Sequence, residues 1–272
     1  MTLLPVSNAR DVGECIYCGS KEAPLQREHA VPFGLNGDWT LLRASCKACE
    51  KITTRFERDT LKGLWPALRI ALSMRSRRGP HPDTLPLVIE AGGVQRTEQV
   101  RRDEFPVYLP SPIFPAPGYV TGVASPPDLT PELRFLHIAG PSFEQVAQRY
   151  AADYVGARVN FAPSGFARML AKIAFCAGVC AVGLAPFKQT PIRRVILGAD
   201  PDFGRLIGTW TGAPMNERQG LHAIQVRASG TDIHVVMRLF AQFGAPEYHV
   251  VLGPADPAFV ASPEWPWPPE TA

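Results

Sequence analysis

The sequence predicts an α+β protein: a small metal-stapled module at the front, then an α+β region with a long buried helix and a terminal antiparallel meander. Three observations carry this expectation. Two Cys-x-x-Cys pairs, Cys15/Cys18 and Cys46/Cys49, lie close together early in the chain. An apolar run opens at Pro163-Ser164 and reads as a helix to about Leu184. Strand-like runs at 222–228, 233–240 and 248–252 close the chain, with Ser229-Gly-Thr-Asp232 as a turn between the first two.

Taken in order, residues 1–79 hold both cysteine pairs and end in basic helical segments at 49–61 and 67–77, separated by Pro66 and stopped by Gly79-Pro80. Residues 80–130 read as a connector or irregular layer, because 11 prolines between 80 and 131 are too many for continuous helix or central strands. Short strands are expected there at 85–91 and 105–109. Residues 131–272 form the accessory α+β region. A helix is expected from Pro141-Ser142 through Tyr154, and the long helix takes Ser164 as its N-cap. The tail Trp265-Pro-Trp-Pro-Pro269 is expected to lack regular structure.

Composition narrows the function classes. Of the 272 residues, 46% are hydrophobic and 19% charged, which fits a globular rather than a disordered chain. The net charge of +3 is unevenly placed: 13 Lys/Arg face 8 Asp/Glu up to Pro80, against 15 and 17 afterwards. The basic N-terminal part points to a polyanionic partner, a solvated helix face being the alternative. Residues 1–10 carry no secretory pattern. The most apolar run, 173–186, is shorter than the roughly 20 residues of a membrane span. A soluble cytoplasmic protein with no membrane partner is therefore expected.

The four paired cysteines are candidate ligands of a structural Zn2+. Two thiolates two residues apart, followed by Gly19, make a knuckle, and a second pair completes a tetrahedral sulfur shell. The 27 residues between the pairs exceed the spacing of about 15–20 in simple ribbons, so something is inserted between the knuckles. Metal ligation also explains how so short a segment folds. Cys176 and Cys180, four apart on one helical face without a second pair, read as core residues.

The insert reads Arg27-Glu-His-Ala-Val-Pro-Phe-Gly-Leu-Asn-Gly37. Glu28-His29, Pro32 two residues beyond Ala30, a Gly/Asn turn, and Cys46-x-x-Cys49 opening a helix together resemble the HNH endonuclease family. The similarity spans roughly residues 15–61 and is closest to the branch in which Glu-His replaces Asp-His. The resemblance implies a ββα finger and a metal-dependent nuclease acting on DNA, with RNA as the other candidate partner, in a phage-defence or mobile-element setting. It implies that His29 is the general base, a role suited to an imidazole titrating near neutrality. It implies that Glu28 and Glu50 are catalytic and hold Mg2+ or Mn2+, hard cations that prefer oxygen. Glu50 stands where the family often has Asn or His, with Asp59 as the weaker alternative; Thr40 and Leu41 stand near the expected middle Asn. These departures keep open a second reading, a catalytically inactive zinc module that binds nucleic acid or a protein. Arg43, Lys47, Lys51, Arg55, Arg58 and Lys62 are the candidate phosphate contacts. Lys172, which interrupts the apolar run, is expected to snorkel to solvent, a charged partner or the nucleic acid being the alternative, and His222, His234 and His249 are expected to be ordinary sheet residues.

Overall fold

The computed structural model describes residues 2–3, 9–22, 24–77, 79–126, 129–215 and 220–261. In chain order the first elements are β1 (Thr2–Leu3), β2 (Ala9–Asp11), β3 (Gln26–His29), β4 (Thr40–Ser45), α1 (Lys47–Gly63) and α2 (Pro66–Ala71). The middle contains β5 (Thr84–Ala91), β6 (Val94–Arg101), β7 (Val107–Ile113), α3 (Gly118–Thr121), β8 (Glu132–Ala139), α4 (Phe143–Arg149) and β9 (Tyr154–Gly156). The chain continues through α5 (Pro163–Val182), α6 (Ile192–Leu197), β10 (Ile207–Thr209), β11 (His222–Ser229), β12 (Asp232–Leu239), β13 (Glu247–Pro254) and α7 (Pro257–Val260). The protein is thus mixed α+β, with four sheets among the described residues.

The largest sheet has the order β1-β11-β12-β13-β10, all antiparallel, and contains the expected meander. Helix α5 lies against it. Fourteen of its residues are buried, including Phe166, Leu170, Ile173, Phe175, Cys176 and Cys180. No polar stripe runs along it, as expected of a helix covered on several sides by the sheet, α1 and α6. Phe166 anchors the packing edge-on to Trp65 at 5.8 Å and Tyr248 at 5.4 Å. Burying each such ring contributes roughly 1.5–3 kcal/mol. Among the described residues α5 alone is long and apolar enough to cross a membrane, and 78% of its most apolar window is buried within the protein. Cys176 and Cys180 are core residues, as expected.

Several sequence expectations are corrected. The N-cap of α5 is Ala162, not Ser164, because Pro163 already occupies the first turn. The helix opened by Ser142 has a full capping box with Gln145 but stops at Arg149, since Ala151 turns left-handed and the chain becomes β9. Helix α2 ends at Ala71 rather than 77, where Ser73 takes φ +48°. The proline-rich stretch is more regular than expected, containing β5, β6 and β7. Its prolines fall where a missing N–H is tolerated. Among the described residues, strand β7, with Pro110 and Pro112, pairs with β8 alone, and Pro86 lies beyond the part of β5 that pairs with β9. The Trp265–Pro269 tail lies outside the described residues.

One continuous buried cluster joins Leu41 and Phe56 of the front segment, Leu87 and Leu109 of the middle, and α5 with the large sheet. The front segment is a three-stranded sheet, β2-β4-β3, whose antiparallel β3–β4 pair is followed by α1. Helix α1 packs on α5. This contact brings the front segment and Lys172 of α5 to one cavity.

Candidate metal centre and adjoining charged cavity

The knuckle at 15–20 forms because Gly19 accepts φ +77°, letting its N–H reach the carbonyl of Cys15 at 2.8 Å while the Cys15 N–H reaches Ser20 at 2.7 Å. Strand β4 then runs into the second pair, with Cys46 as N-cap of α1 and Cys49 in its first turn. All four sulfurs lie within 4.8 Å of one another. Cys18 and Cys46 are 3.7 Å apart, close to the ~3.8 Å edge of a tetrahedron with ~2.3 Å zinc–sulfur bonds. Cys15 and Cys49 are buried while Cys18 is exposed. Burial pushes the Cys49 thiol up, and neighbouring thiols add to this. Burial also acts upward on Cys46, but the Cys49 N–H and the surrounding thiols outweigh it and hold Cys46 at about 7. Four thiolates this close need a cation to stay ionised, and the donor set fits Zn2+.

Strand β3 ends at the Glu28-His29 pair, opposite Leu41 and Thr40 of β4. A register shift between Gln26 and Glu28 precedes the pair. Glu28 points inward and is 7% exposed, whereas His29 is half-buried at the edge of the cavity. The expected Gly/Asn turn follows. Asn36 adopts φ 61°, and Gly37 lies so close to the Val31 carbonyl that any Cβ would overlap it. The imidazole of His29 stands edge-on to Phe33, 5.9 Å away. Burial, with Lys172, Arg77 and Arg27 nearby, holds its pKa below the usual histidine value despite the opposing charge of Glu28. The ring is therefore neutral at physiological pH and able to accept a proton.

Glu28, His29 and Glu50 line one open cavity of about 320 Å³. Glu50 is half-buried in the first turn of α1 and pairs with Lys47 at 2.7 Å. Asp59 is exposed, paired with Arg58 at 3.1 Å, and absent from the cavity wall. Thr40, near the position expected for a middle Asn, does not line the cavity either.

The proposed phosphate contacts divide. Arg58 and Lys62 line this cavity, while Lys47, Lys51, Arg55 and Arg58 edge a more open groove along α1 that also includes Glu50. Arg43 lines neither; its side chain turns to Asp11 through two hydrogen bonds.

Sequence reasoning missed several residues of this cavity. Glu57 lies two helical turns beyond Glu50 on the same face, a spacing that could have revealed it. Arg27, Arg69, Arg75 and Arg77 complete the basic wall. The last three are delivered by the segment after α1, which folds back onto the 33–38 turn. Arg69 Nε donates to the Gly34 carbonyl at 2.9 Å, and the Arg75 N–H donates to Asn36 at 2.9 Å. Arg75 also pairs with Asp38 at 2.7 Å, and the Arg75 and Arg77 guanidinium groups sit 5.6 and 5.2 Å from the centre of the Phe33 ring.

Lys172 is the largest correction. Far from reaching solvent, it is fully buried, with its ammonium 2.9 Å from Glu28 Oε1 and 2.8 Å from Glu57 Oε1. It also donates to the His29 and Ala30 carbonyls. Burial acts to discharge it, but the two carboxylates prevail and hold it charged. Burial raises the pKa of Glu57 even against the pull of Lys172. Although Glu57 Oε1 is close to the ammonium, no donor among the described residues is well directed towards it. A lone lysine in an apolar helix was the signal that could have announced a buried partner.

The strand histidines do not converge on one point. His234 and His249 form a buried pair at 3.0 Å, whereas His222 bonds to the Leu35 carbonyl at 2.8 Å. Comparisons of this chain with protein-family models, curated proteins and solved structures find no significant match.

Proposed function

We propose that this protein is an HNH-type, metal-dependent endonuclease that hydrolyses phosphodiester bonds in DNA, on a finger held together by structural Zn2+. The observation that carries the reading is the meeting of Glu28, His29 and Glu50 in one cavity whose wall also presents Arg27, Arg58, Lys62, Arg69, Arg75 and Arg77. A polyanionic backbone would be held by these cations. An oxygen-rich floor beside them suits Mg2+ or Mn2+. The order β3–β4–α1, with the cysteine pairs flanking the hairpin, is also what the family resemblance implies.

The half-buried, neutral imidazole of His29 would take a proton from the attacking water. The Phe33 edge restricts the orientation of the ring, and the backbone contacts of Lys172 restrain the strand carrying it. A divalent cation held by Glu28 and Glu50 would neutralise charge on the scissile phosphate and the departing oxygen. Guanidinium groups of the wall would orient the phosphate by paired hydrogen bonds.

The test is nicking of supercoiled plasmid in Mg2+ or Mn2+. His29→Ala should cut roughly 10²–10⁴-fold more slowly, the usual contribution of a general base. Parent-like cutting by that variant would refute the assignment. A second reading, nucleic-acid binding without cleavage, draws on the engagement of Glu28 by Lys172 and of Glu50 by Lys47. It expects salt-sensitive DNA retention and no cutting with any divalent metal.

A further inference from the structure

Lys172 comes from the second half of the chain, yet four oxygens of the front segment surround its ammonium: Glu28 Oε1, Glu57 Oε1 and the carbonyls of His29 and Ala30. An ammonium has three protons, so it can hydrogen-bond to only three of these oxygens at once. Neutralising a single carboxylate would need far less. Two of the oxygens are consecutive main-chain carbonyls at the end of β3, and one belongs to the residue bearing the candidate base.

We propose that Lys172 is a positioning residue. Its ammonium is a built-in counter-ion that orients Glu28, pins the main chain at His29 and limits how strongly the carboxylate floor attracts a divalent cation. This inference rests on the nuclease reading, with Glu28 as a cation ligand. With Lys172 present, Glu28 and Glu57 share one resident ammonium; without it, both carboxylates lose that direct ion pair and keep only the more distant cations of the wall. Helix α5 thereby makes the chemistry of the front segment depend on the accessory region.

The consequence is a dissociation that simple loss of structure would not produce. In Lys172→Met, Mn2+ affinity, read by electron paramagnetic resonance titration, should rise by about tenfold or more as a competing cation leaves. Plasmid nicking at saturating Mn2+ should fall by about tenfold or more, because cation and base are no longer held in register. The double variant Lys172→Met/Glu57→Gln removes one charge of each sign. It should return Mn2+ affinity to within roughly threefold of the parent while nicking stays low. Zinc content and circular dichroism report folding, and the double variant carries the test if the single variant does not fold.

Parent-like Mn2+ affinity in a folded Lys172→Met protein overturns the proposal, as does parent-like nicking by the double variant. A parent protein that binds Mn2+ without nicking DNA sinks the nuclease reading alone, and the affinity comparison still judges Lys172. A parent that binds no Mn2+ overturns both.

Discussion

Replacing Gly63 by alanine sets two physical effects against each other. Gly63 is the last residue of α1, and its backbone shows no left-handed conformation. Helix propensity alone therefore favours alanine by about 1 kcal/mol. The tertiary structure opposes this. A Cβ on Gly63 would overlap the carbonyl oxygen of Asn160, and the Asn160 N–H donates to the Gly63 carbonyl at 3.0 Å. The added methyl meets rigid backbone, so the segment leading into α5 must move away from α1. Overpacking of this kind costs roughly 1–3 kcal/mol, and losing the hydrogen bond adds about 1 kcal/mol. After the propensity gain, the expected net is a destabilisation of roughly 2 kcal/mol. For a chain of this size that lowers Tm by about 4–8 °C. The same displacement pulls on the Glu57–Lys172 pair across the α1–α5 contact. Urea and thermal unfolding of parent and Gly63→Ala measure the sign directly. An unchanged or more stable variant would show that the close approach of the two backbones plays no part in stability.

Two further outcomes follow from the metal centre and the histidines. Purified protein should contain about one Zn2+ per chain, and Cys49→Ser or a strong chelator should unfold the front segment, because ligation free energies of about 10–16 kcal/mol match or exceed a domain's stability. Elemental analysis and chelator-dependent melting check this; zinc-free protein with chelator-insensitive melting refutes it. Stability should also fall as pH drops below about 6.5. Burial depresses His222 to about 4, and its ring accepts from the Phe240 N–H, so it must stay neutral in the folded state. Unfolding then takes up a proton once pH passes below the ordinary histidine value, costing roughly 2 kcal/mol by pH 5. Urea unfolding at pH 7 and pH 5 should show this loss in the parent and a smaller one in His222→Gln. Equal losses in the two proteins would remove His222 as the cause.

Much of what could be read in advance was local. The two Cys-x-x-Cys pairs announced a four-cysteine cluster because the spacing within each pair is a short-range property, and the 3.7 Å approach of Cys18 to Cys46 is compatible with a metal site. The Asn36-Gly37 turn and the Ser229–Asp232 turn were legible because left-handed and tight backbone positions need particular residues. The α5 core helix was legible because it has no polar face to expose.

The sequence by itself thus announced the two cysteine pairs, the buried helix and the closing meander, whose signals lie in short stretches of chain. Only the tertiary structure decided that Lys172 meets Glu28 and Glu57, that Arg69, Arg75 and Arg77 fold back over the Phe33 turn, and that Arg43 faces Asp11 instead. The first depends on how α1 docks against α5, the second on where α2 stops, and the third on the pairing of β2 with β4. Such docking is set by the summed packing of residues more than a hundred positions apart, so a lone lysine in an apolar helix can announce a buried partner but not which residues supply it.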